Sequence, residues 1–139
     1  MTVIATSSAH FSNVVKHEYD PSSGYCREVV TVNEAAAKTY VVGTPLGKVT
    51  ATGKYVVAVE TAVDGSKAPV AIVIGNSVGE SKSIDIAATT DTKVLVLARG
   101  PVIVSKDAVP LGATYNDATK IATAFASLAS VGIQAATTV

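Results

Sequence analysis

The serine that stands between two glycines is the first candidate for chemistry. Residues 75–79 (GNSVG) match the G-x-S-x-G pattern, in which a serine nucleophile at a strand-to-helix turn is followed later in the chain by an acid and then a histidine. Here residues 81–87 predict a further strand, and both His10 and His17 precede Ser77. The pattern therefore favours a glycine-flanked hairpin turn, with a small serine hydrolase as the weakest alternative function.

Residue spacing also disfavours metal and phosphate sites. The candidate metal ligands near the N-terminus show neither i, i+4 nor C-x-x-C spacing; they are His10, His17, Glu18, Asp20 and Cys26. Residues 43–49 are one position too short, and residues 47–55 one position too long, for a G-x-x-x-x-G-K-[ST] phosphate loop, so both stretches predict turns between strands. We expect no metal, no cofactor and no catalytic residue.

The charge balance argues against partners that are held by bulk electrostatics. Eleven Lys and Arg residues match eleven Asp and Glu residues among 139, so a nucleic-acid partner is disfavoured. Hydrophobic residues make up 48% and charged residues 16% of the chain, which excludes a disordered protein and favours self-association. The single cysteine, Cys26, excludes an intrachain disulfide.

Two stretches lack the features of a targeting or membrane segment. The first twelve residues lack the basic and apolar regions of a signal peptide, and the least polar stretch, 118–136, is interrupted by Lys120 and by several Thr and Ser. We therefore expect a protein outside membranes that is made in the cytoplasm and works there or on something assembled there.

The elements that must position any site are mostly strands. Enrichment in β-branched residues, with breaks at Gly, Pro and Asp, predicts strands over 26–32, 39–42, 46–50, 55–60, 70–74, 83–87, 93–98 and 102–105. The apolar run 70–74 (VAIVI) is typical of a strand buried on both faces.

One late segment has helical rather than strand spacing. Apolar residues between 116 and 130 recur every three or four positions, with Thr114 or Asn116 as the N-cap and Asp117 complementing the helix dipole. Residues 133–139 predict a last short strand. The predicted fold is mainly β (α+β): a small β-rich domain or partial barrel over 25–139, with one C-terminal helix at about 116–130.

Residues 1–24 predict an extended N-terminal arm that ends in the turn signal of residues 20–24 (DPSSG). The arm has too few apolar positions to form a core of its own, yet it carries four large apolar residues close together: Phe11, Val14, Val15 and Tyr19. A solvated tail and a functional segment both fit this composition.

The order of several short pieces resembles the lambda-type head decoration proteins of tailed bacteriophages. The pieces are residues 27–32 (REVVTV), 42–49 (VGTPLGKV), 53–55 (GKY), 64–66 (DGS), 95–101 (LVLARGP) and the Ala-rich helix that runs into 128–133 (LASVGI). The resemblance covers most of the chain after residue 25. It rests on the order of the pieces, because each alone is a common turn or strand.

The resemblance implies a structural virion protein without enzymatic activity. Such proteins form homotrimers that bind the outer surface of the expanded head at local threefold positions and stabilise it against packaged DNA. Their N-terminal segment contacts the major capsid protein, which makes the arm the expected contact. The candidate contact residues are Phe11, Val14, Val15, Tyr19 and Tyr25.

An arm of this kind would add a strand to an exposed sheet edge of its partner, with its large side chains filling pockets. On this hypothesis, deleting residues 1–24 leaves a folded trimer that no longer binds heads. The main alternative function is a non-catalytic carbohydrate-binding or adhesin module. Such modules usually stack sugars on aromatic side chains, whereas this chain has 5% aromatic residues and no Trp.

Overall fold

The computed structural model describes residues 11–81 and 83–137. In chain order its elements are α1 (Phe11–Val14), β1 (Val15–Glu18), β2 (Arg27–Val32), β3 (Lys38–Val41), β4 (Pro45–Lys48), β5 (Tyr55–Val57), β6 (Pro69–Asn76), β7 (Gly79–Glu80), β8 (Ser83–Ile86), β9 (Thr92–Leu97), β10 (Val102–Ser105), a 3₁₀ turn (Lys106–Ala108), α2 (Ala118–Ser130) and β11 (Ile133–Ala136). The prediction of a mainly β domain with one late helix is confirmed.

Five strands form a closed barrel. They follow the order β4-β5-β2-β9-β6, and β6 pairs again with β4, so that the sheet returns to its starting strand. All neighbours are antiparallel except β2 and β5, which form a short parallel pair. The expected partial barrel is therefore complete, and closure leaves these strands without the open edges of a flat sheet.

Strands from near both ends of the described chain form a second, smaller sheet together with β10. Its order is β1-β10-β11, with β1 antiparallel and β11 parallel to the central strand β10. A separate two-stranded sheet joins β3 to β8.

Strand β6 separates two hydrophobic cores, because its side chains alternate between opposite faces. Ala71 and Val73 belong to the barrel core, whereas Ile72 and Ile74 belong to a second core, here called the outer core. The barrel core comprises Val30, Val32, Tyr40, Leu46, Ala71, Val73, Ile86, Val94 and Val96. The outer core comprises Val14, Val15, Cys26, Val42, Ile72, Ile74, Leu97, Val102, Val104, Val109, Phe125, Leu128 and Ile133. The two-faced burial predicted for 70–74 is confirmed.

Helix α2 covers the outer core, and its cap differs from the prediction. The N-cap is Asp117, whose carboxylate accepts a hydrogen bond from the Lys120 amide at 2.8 Å. Asn116 instead accepts a hydrogen bond from the Lys120 ammonium at 3.1 Å, one residue before the cap. Asp117 therefore both caps the helix and places a negative charge at its positive end.

The stretch 43–49 is only partly the turn that its sequence predicts. Gly43 lies in a turn, but Gly47 lies within β4 beside the backbone of Ser66. A Cβ atom on Gly47 would stand 2.1 Å from the Ser66 carbonyl oxygen. The glycine therefore serves a close approach of two backbones.

The first part of the chain is more fully folded than the predicted arm of 1–24. Residues 1–10 lie outside the described residues, but β1 pairs with β10, and Val14 and Val15 are buried in the outer core. The large apolar residues of this segment are thus partly used for folding. A deletion of 1–24 would therefore remove core side chains.

Crossing a bilayer requires a helix that is both long and apolar. Within 11–81 and 83–137, no helix meets both requirements.

Candidate functional site

A tight turn brings two exposed tyrosines together. Residues 20–24 form the turn that the DPSSG sequence predicts, with hydrogen bonds from the Ser23 amide to the Asp20 carbonyl and from the Gly24 amide to the Pro21 carbonyl, both at 3.2 Å. The rings of Tyr19 and Tyr25, on either side of the turn, meet edge to face with centroids 5.6 Å apart. Tyr19 is 51% and Tyr25 52% exposed, so the two rings contact each other and are still accessible to a partner.

Arg99 supports this pair from the strand end that follows β9. Its guanidinium lies 5.9 Å from the centre of the Tyr25 ring and donates a hydrogen bond to the Tyr25 carbonyl oxygen. It also pairs with Glu28 at 3.2 Å. We call Tyr19, Tyr25 and Arg99 the tyrosine patch. The patch combines aromatic area with a cation, a composition that is enriched at protein interfaces.

The outward face of the small sheet continues from the patch. His17 is the register partner of Ile103, and Ile103 is the register partner of Gln134, so one row crosses all three strands. All three residues are exposed, and Ile103 is the large apolar member at 38% exposure. The row presents aliphatic and polar groups, and Tyr19 of the patch follows directly after β1.

Close to the patch, an arginine of β2 contacts side chains of three other elements. Arg27 on β2 forms two hydrogen bonds with the Glu18 carboxylate of β1, at 2.7 and 2.8 Å. The same guanidinium lies 3.0 Å from a carboxylate oxygen of Glu80 on β7 and 5.5 Å from the centre of the Phe11 ring of α1. We call these four residues the Arg27 clasp. The hydrogen bonds with Glu18 raise the pKa of Arg27 above its ordinary value, although partial burial opposes this.

Cys26 lies between the clasp and the patch and is buried in the outer core. Its thiol is within 3.5 Å of the Tyr19 carbonyl oxygen. Burial raises the pKa of the thiol, so the reactive thiolate is scarce at neutral pH.

The structure places the five predicted contact residues in three environments. Tyr19 and Tyr25 are exposed, Phe11 is half-buried, and Val14 and Val15 are buried. The two valines therefore support the fold and present no surface to a partner in this structure.

Sequence reasoning named Glu18 only as a candidate metal ligand, and it treated Arg27 and Arg99 only as parts of the REVVTV and R-G-P pieces. The available signal was the alternation of side chains along β2. Arg27 lies on the opposite face of the strand from Val30 and Val32, and so outside the barrel. This alternation did not reveal Glu18 as the partner of Arg27, because β1 and β2 lie in different sheets and are joined only by side chains.

The catalytic candidates do not form a site among the described residues. Ser77 is exposed in the turn between β6 and β7, where Asn76 accepts hydrogen bonds from the Val78 and Gly79 amides. The expected hairpin turn is therefore confirmed. His17 lies on β1, and His10 lies outside the described residues. Within 11–81 and 83–137, no three His, Cys, Asp or Glu side chains are arranged to hold a metal ion.

Comparison with known families decides between the remaining alternatives. The family model of bacteriophage lambda head decoration protein D matches residues 4–133. The chain belongs to this family. A comparison with curated proteins returned no match. The match spans the barrel strands and α2 and ends at the first residue of β11, which confirms the resemblance that the order of the sequence pieces indicated.

Membership makes the chain a phage head decoration protein, a structural component of the virion that associates with the capsid. For a decoration protein, an exposed aromatic pair beside a rigid sheet suits protein recognition.

Proposed function

We propose that this decoration protein forms a homotrimer that binds the outer surface of the expanded head at local threefold positions. There it holds neighbouring capsomers against the pressure of packaged DNA. The observation that carries the proposal is the family match over residues 4–133. The balanced charge supports binding through shape and apolar contact rather than through charge attraction.

The proposed contact with the major capsid protein has two parts. Residues 1–10 bind an exposed strand edge of the capsid, where main-chain hydrogen bonds supply affinity. The tyrosine patch adds a rigid aromatic contact, because Tyr19 and Tyr25 are already held by each other and by Arg99 and lose little side-chain entropy on binding. A trimer repeats both contacts three times, so individually weak contacts combine into slow dissociation.

Co-sedimentation with undecorated heads tests this function. The full chain is mixed with expanded heads and, separately, with unexpanded precursor shells. Saturable binding to expanded heads alone, at three copies for each local threefold position, is the expected result. Failure to bind expanded heads, or equal binding to precursor shells, would contradict the proposal. Analytical ultracentrifugation of the free protein tests the trimer independently.

A deletion of residues 1–10 separates the terminal contact from folding. We expect this variant to keep the thermal stability and the oligomeric state of the full chain, because the described core begins at Val14. Binding to heads is expected to fall below detection. A variant that binds as the full chain does would remove residues 1–10 from the contact.

A further inference from the structure

A cavity lies between helix α2 and the residues that lead from β5 to β6. Its volume is about 230 Å³. Most of the side chains that line it are small, so the helix and the loop leave space between them; these residues are Ala68, Thr119, Thr123, Ala124 and Ser127. Tyr115 also lines the cavity, and its hydroxyl donates a hydrogen bond to the Lys67 carbonyl oxygen at 2.8 Å, which fixes this wall. We call this cavity the α2 pocket.

The charged residues that line the α2 pocket already have partners. A Glu60 carboxylate oxygen lies 3.9 Å from the Lys67 ammonium. The Lys120 ammonium donates a hydrogen bond to Asn116 at 3.1 Å and lies 4.0 Å from the Asp117 carboxylate. The rest of the lining is aliphatic, aromatic or hydroxyl, so the pocket suits an uncharged apolar side chain. A cavity of roughly 150 Å³ already admits benzene, so a branched aliphatic side chain fits the larger volume here.

The same chain presents a side chain of this kind at the tip of the hairpin between β6 and β7. Val78 is 91% exposed. The Asn76 side chain accepts hydrogen bonds from the Val78 and Gly79 amides at 2.9 and 3.2 Å, so the tip is held in one conformation and loses little entropy on binding. Residues 76–79 carry no charge, which matches a pocket whose own charges are already paired.

Val78 and the α2 pocket lie at opposite ends of β6. Ala68 of the pocket directly precedes the strand, and Ser77 directly follows it. The eight residues of β6 span roughly 25 Å, so Val78 does not reach the pocket of its own chain. A projecting side chain and a receiving pocket on different sides of one protomer make a head-to-tail contact. Such a contact closes into a ring when the rotation between copies divides a full turn.

We propose that Val78 of each protomer enters the α2 pocket of the next protomer, and that three such contacts close the homotrimer. This inference rests on the proposed homotrimer and names the residues that join its copies. The pocket is left unfilled by its own chain, and the neighbouring copy completes it.

Disulfide cross-linking tests the contact directly. The test chain carries Val78→Cys and Thr123→Cys, because Thr123 is an exposed residue of the α2 pocket. Cys26, the one native cysteine, is buried and adds no background. A disulfide needs Cα atoms within about 7 Å, so the link forms between copies and not within one chain. After mild oxidation of expanded heads decorated with this variant, we expect a covalent product of three chains on a non-reducing gel.

The matched control carries Val63→Cys with Thr123→Cys. Val63 is 98% exposed and therefore equally available to oxidation, but it lies outside the proposed contact. This control should give no covalent product of three chains. Absence of that product from the test pair, or equal cross-linking by both pairs, would overturn the proposal.

Head affinity in a double-mutant cycle gives a second, independent readout. Val78→Asp places a charge in an apolar pocket, and Thr123→Phe fills the pocket from its exposed rim. Each change alone should lower the affinity for expanded heads at least about tenfold, whereas Val63→Asp should leave it unchanged. In the Thr123→Phe background, Val78→Asp should cost little more, because the contact is already lost. Fully additive losses would show that Val78 and Thr123 act at separate contacts.

The outcomes separate this inference from the proposed function. A wild-type protein that binds expanded heads, together with a test pair that gives no covalent trimer, would overturn the contact and leave head binding intact. If the wild type neither binds heads nor associates with itself in solution, the proposed function fails, and with it the contact between copies.

Discussion

The barrel and the small sheet are stabilised in different ways, although they share the wall formed by β6 and β9. The barrel closes on itself, and its core is filled from strands that follow one another within residues 27–97. The small sheet joins the two ends of the chain and depends on α2 beneath it and on the Arg27 clasp beside it. The comparison shows that one part of the domain is closed by strand pairing alone, whereas the other also depends on side chains from outside its own sheet.

Two leucines test this difference most strongly. Leu46 fills the barrel core and Leu128 the outer core, and each is completely buried. Truncation of either to Ala should lower the free energy of unfolding by about 2–5 kcal/mol, because each leaves a cavity. Hydrogen exchange distinguishes them: Leu128→Ala should accelerate β1, β10 and β11 before the barrel. Acceleration of the barrel strands to the same degree would show that the two cores open as one.

A close backbone approach in the small sheet gives the next largest effect. A Cβ atom on Gly100 would stand 1.9 Å from the Gly132 carbonyl oxygen, at the entrances to β10 and β11. Gly100→Ala should therefore lower the free energy of unfolding by about 3 kcal/mol in urea denaturation. Gly112→Ala is the control, because nothing lies within 4 Å of its Cβ position, and it should change stability by less than about 0.5 kcal/mol. Equal effects of the two changes would contradict this contact.

Buried hydrogen bonds to a carboxylate also stabilise the barrel. The Tyr40 hydroxyl donates a short hydrogen bond to the buried Glu34 carboxylate, which also accepts from the Val57 amide at 2.8 Å. Tyr40→Phe leaves that carboxylate with one donor fewer, and we expect a loss of about 1–2 kcal/mol in urea denaturation. An unchanged unfolding midpoint would show that water replaces the hydroxyl at no cost.

Tyr40 also makes the free energy of unfolding depend on pH in the alkaline range. Burial, followed by the hydrogen bond to Glu34 and its charge, raises the pKa of Tyr40 in the folded state. Because the folded state then favours the neutral phenol, this stabilisation is fully present below the unfolded pKa of about 10 and declines as the pH rises above it. Urea denaturation between pH 8 and 11, in buffers chosen to bracket that pKa of about 10, should show a steeper decline in the wild type than in Tyr40→Phe.

The smallest stability effect, and the clearest functional one, is expected at the tyrosine patch. Tyr25→Ser removes an exposed side chain and should change the free energy of unfolding by only about 0.5 kcal/mol. Its affinity for expanded heads should nevertheless fall at least about tenfold, as at an aromatic contact of an interface. Val63→Ser is the control, because Val63 is 98% exposed and lies outside the patch. A Tyr25→Ser variant with unchanged head affinity would exclude this patch from the contact.

Sequence reasoning correctly predicted those features that depend on residues close together in the chain. The apolar run 70–74, the stripe of α2 and the turn at 20–24 are all local patterns, and each appears where it was predicted. The α2 cap was misplaced by one residue or more, because Thr114, Asn116 and Asp117 are all good capping types and only the backbone geometry selects Asp117.

The features that the sequence did not predict join distant parts of the chain. The sequence around Val14 and Val15 is compatible both with an arm and with a core segment. Only the pairing of β1 with β10 decides between these two structures. The candidate site shows the same limit. Tyr19 and Tyr25 were named as candidate contact residues, whereas their support from Arg99 depends on a contact across 74 positions.

The antiparallel pairing of β1 with β10 also determines how the domain bears a mechanical load. Hydrogen bonds between antiparallel strands run perpendicular to the strands. A pull on the chain before Phe11 that is directed along β1 therefore shears all of its bonds to β10 at the same time, instead of peeling them apart one by one. The pairing of β1 with β10 therefore resists a brief force along the strands far better than a force across them. The direction of the force determines how firmly β1 stays attached.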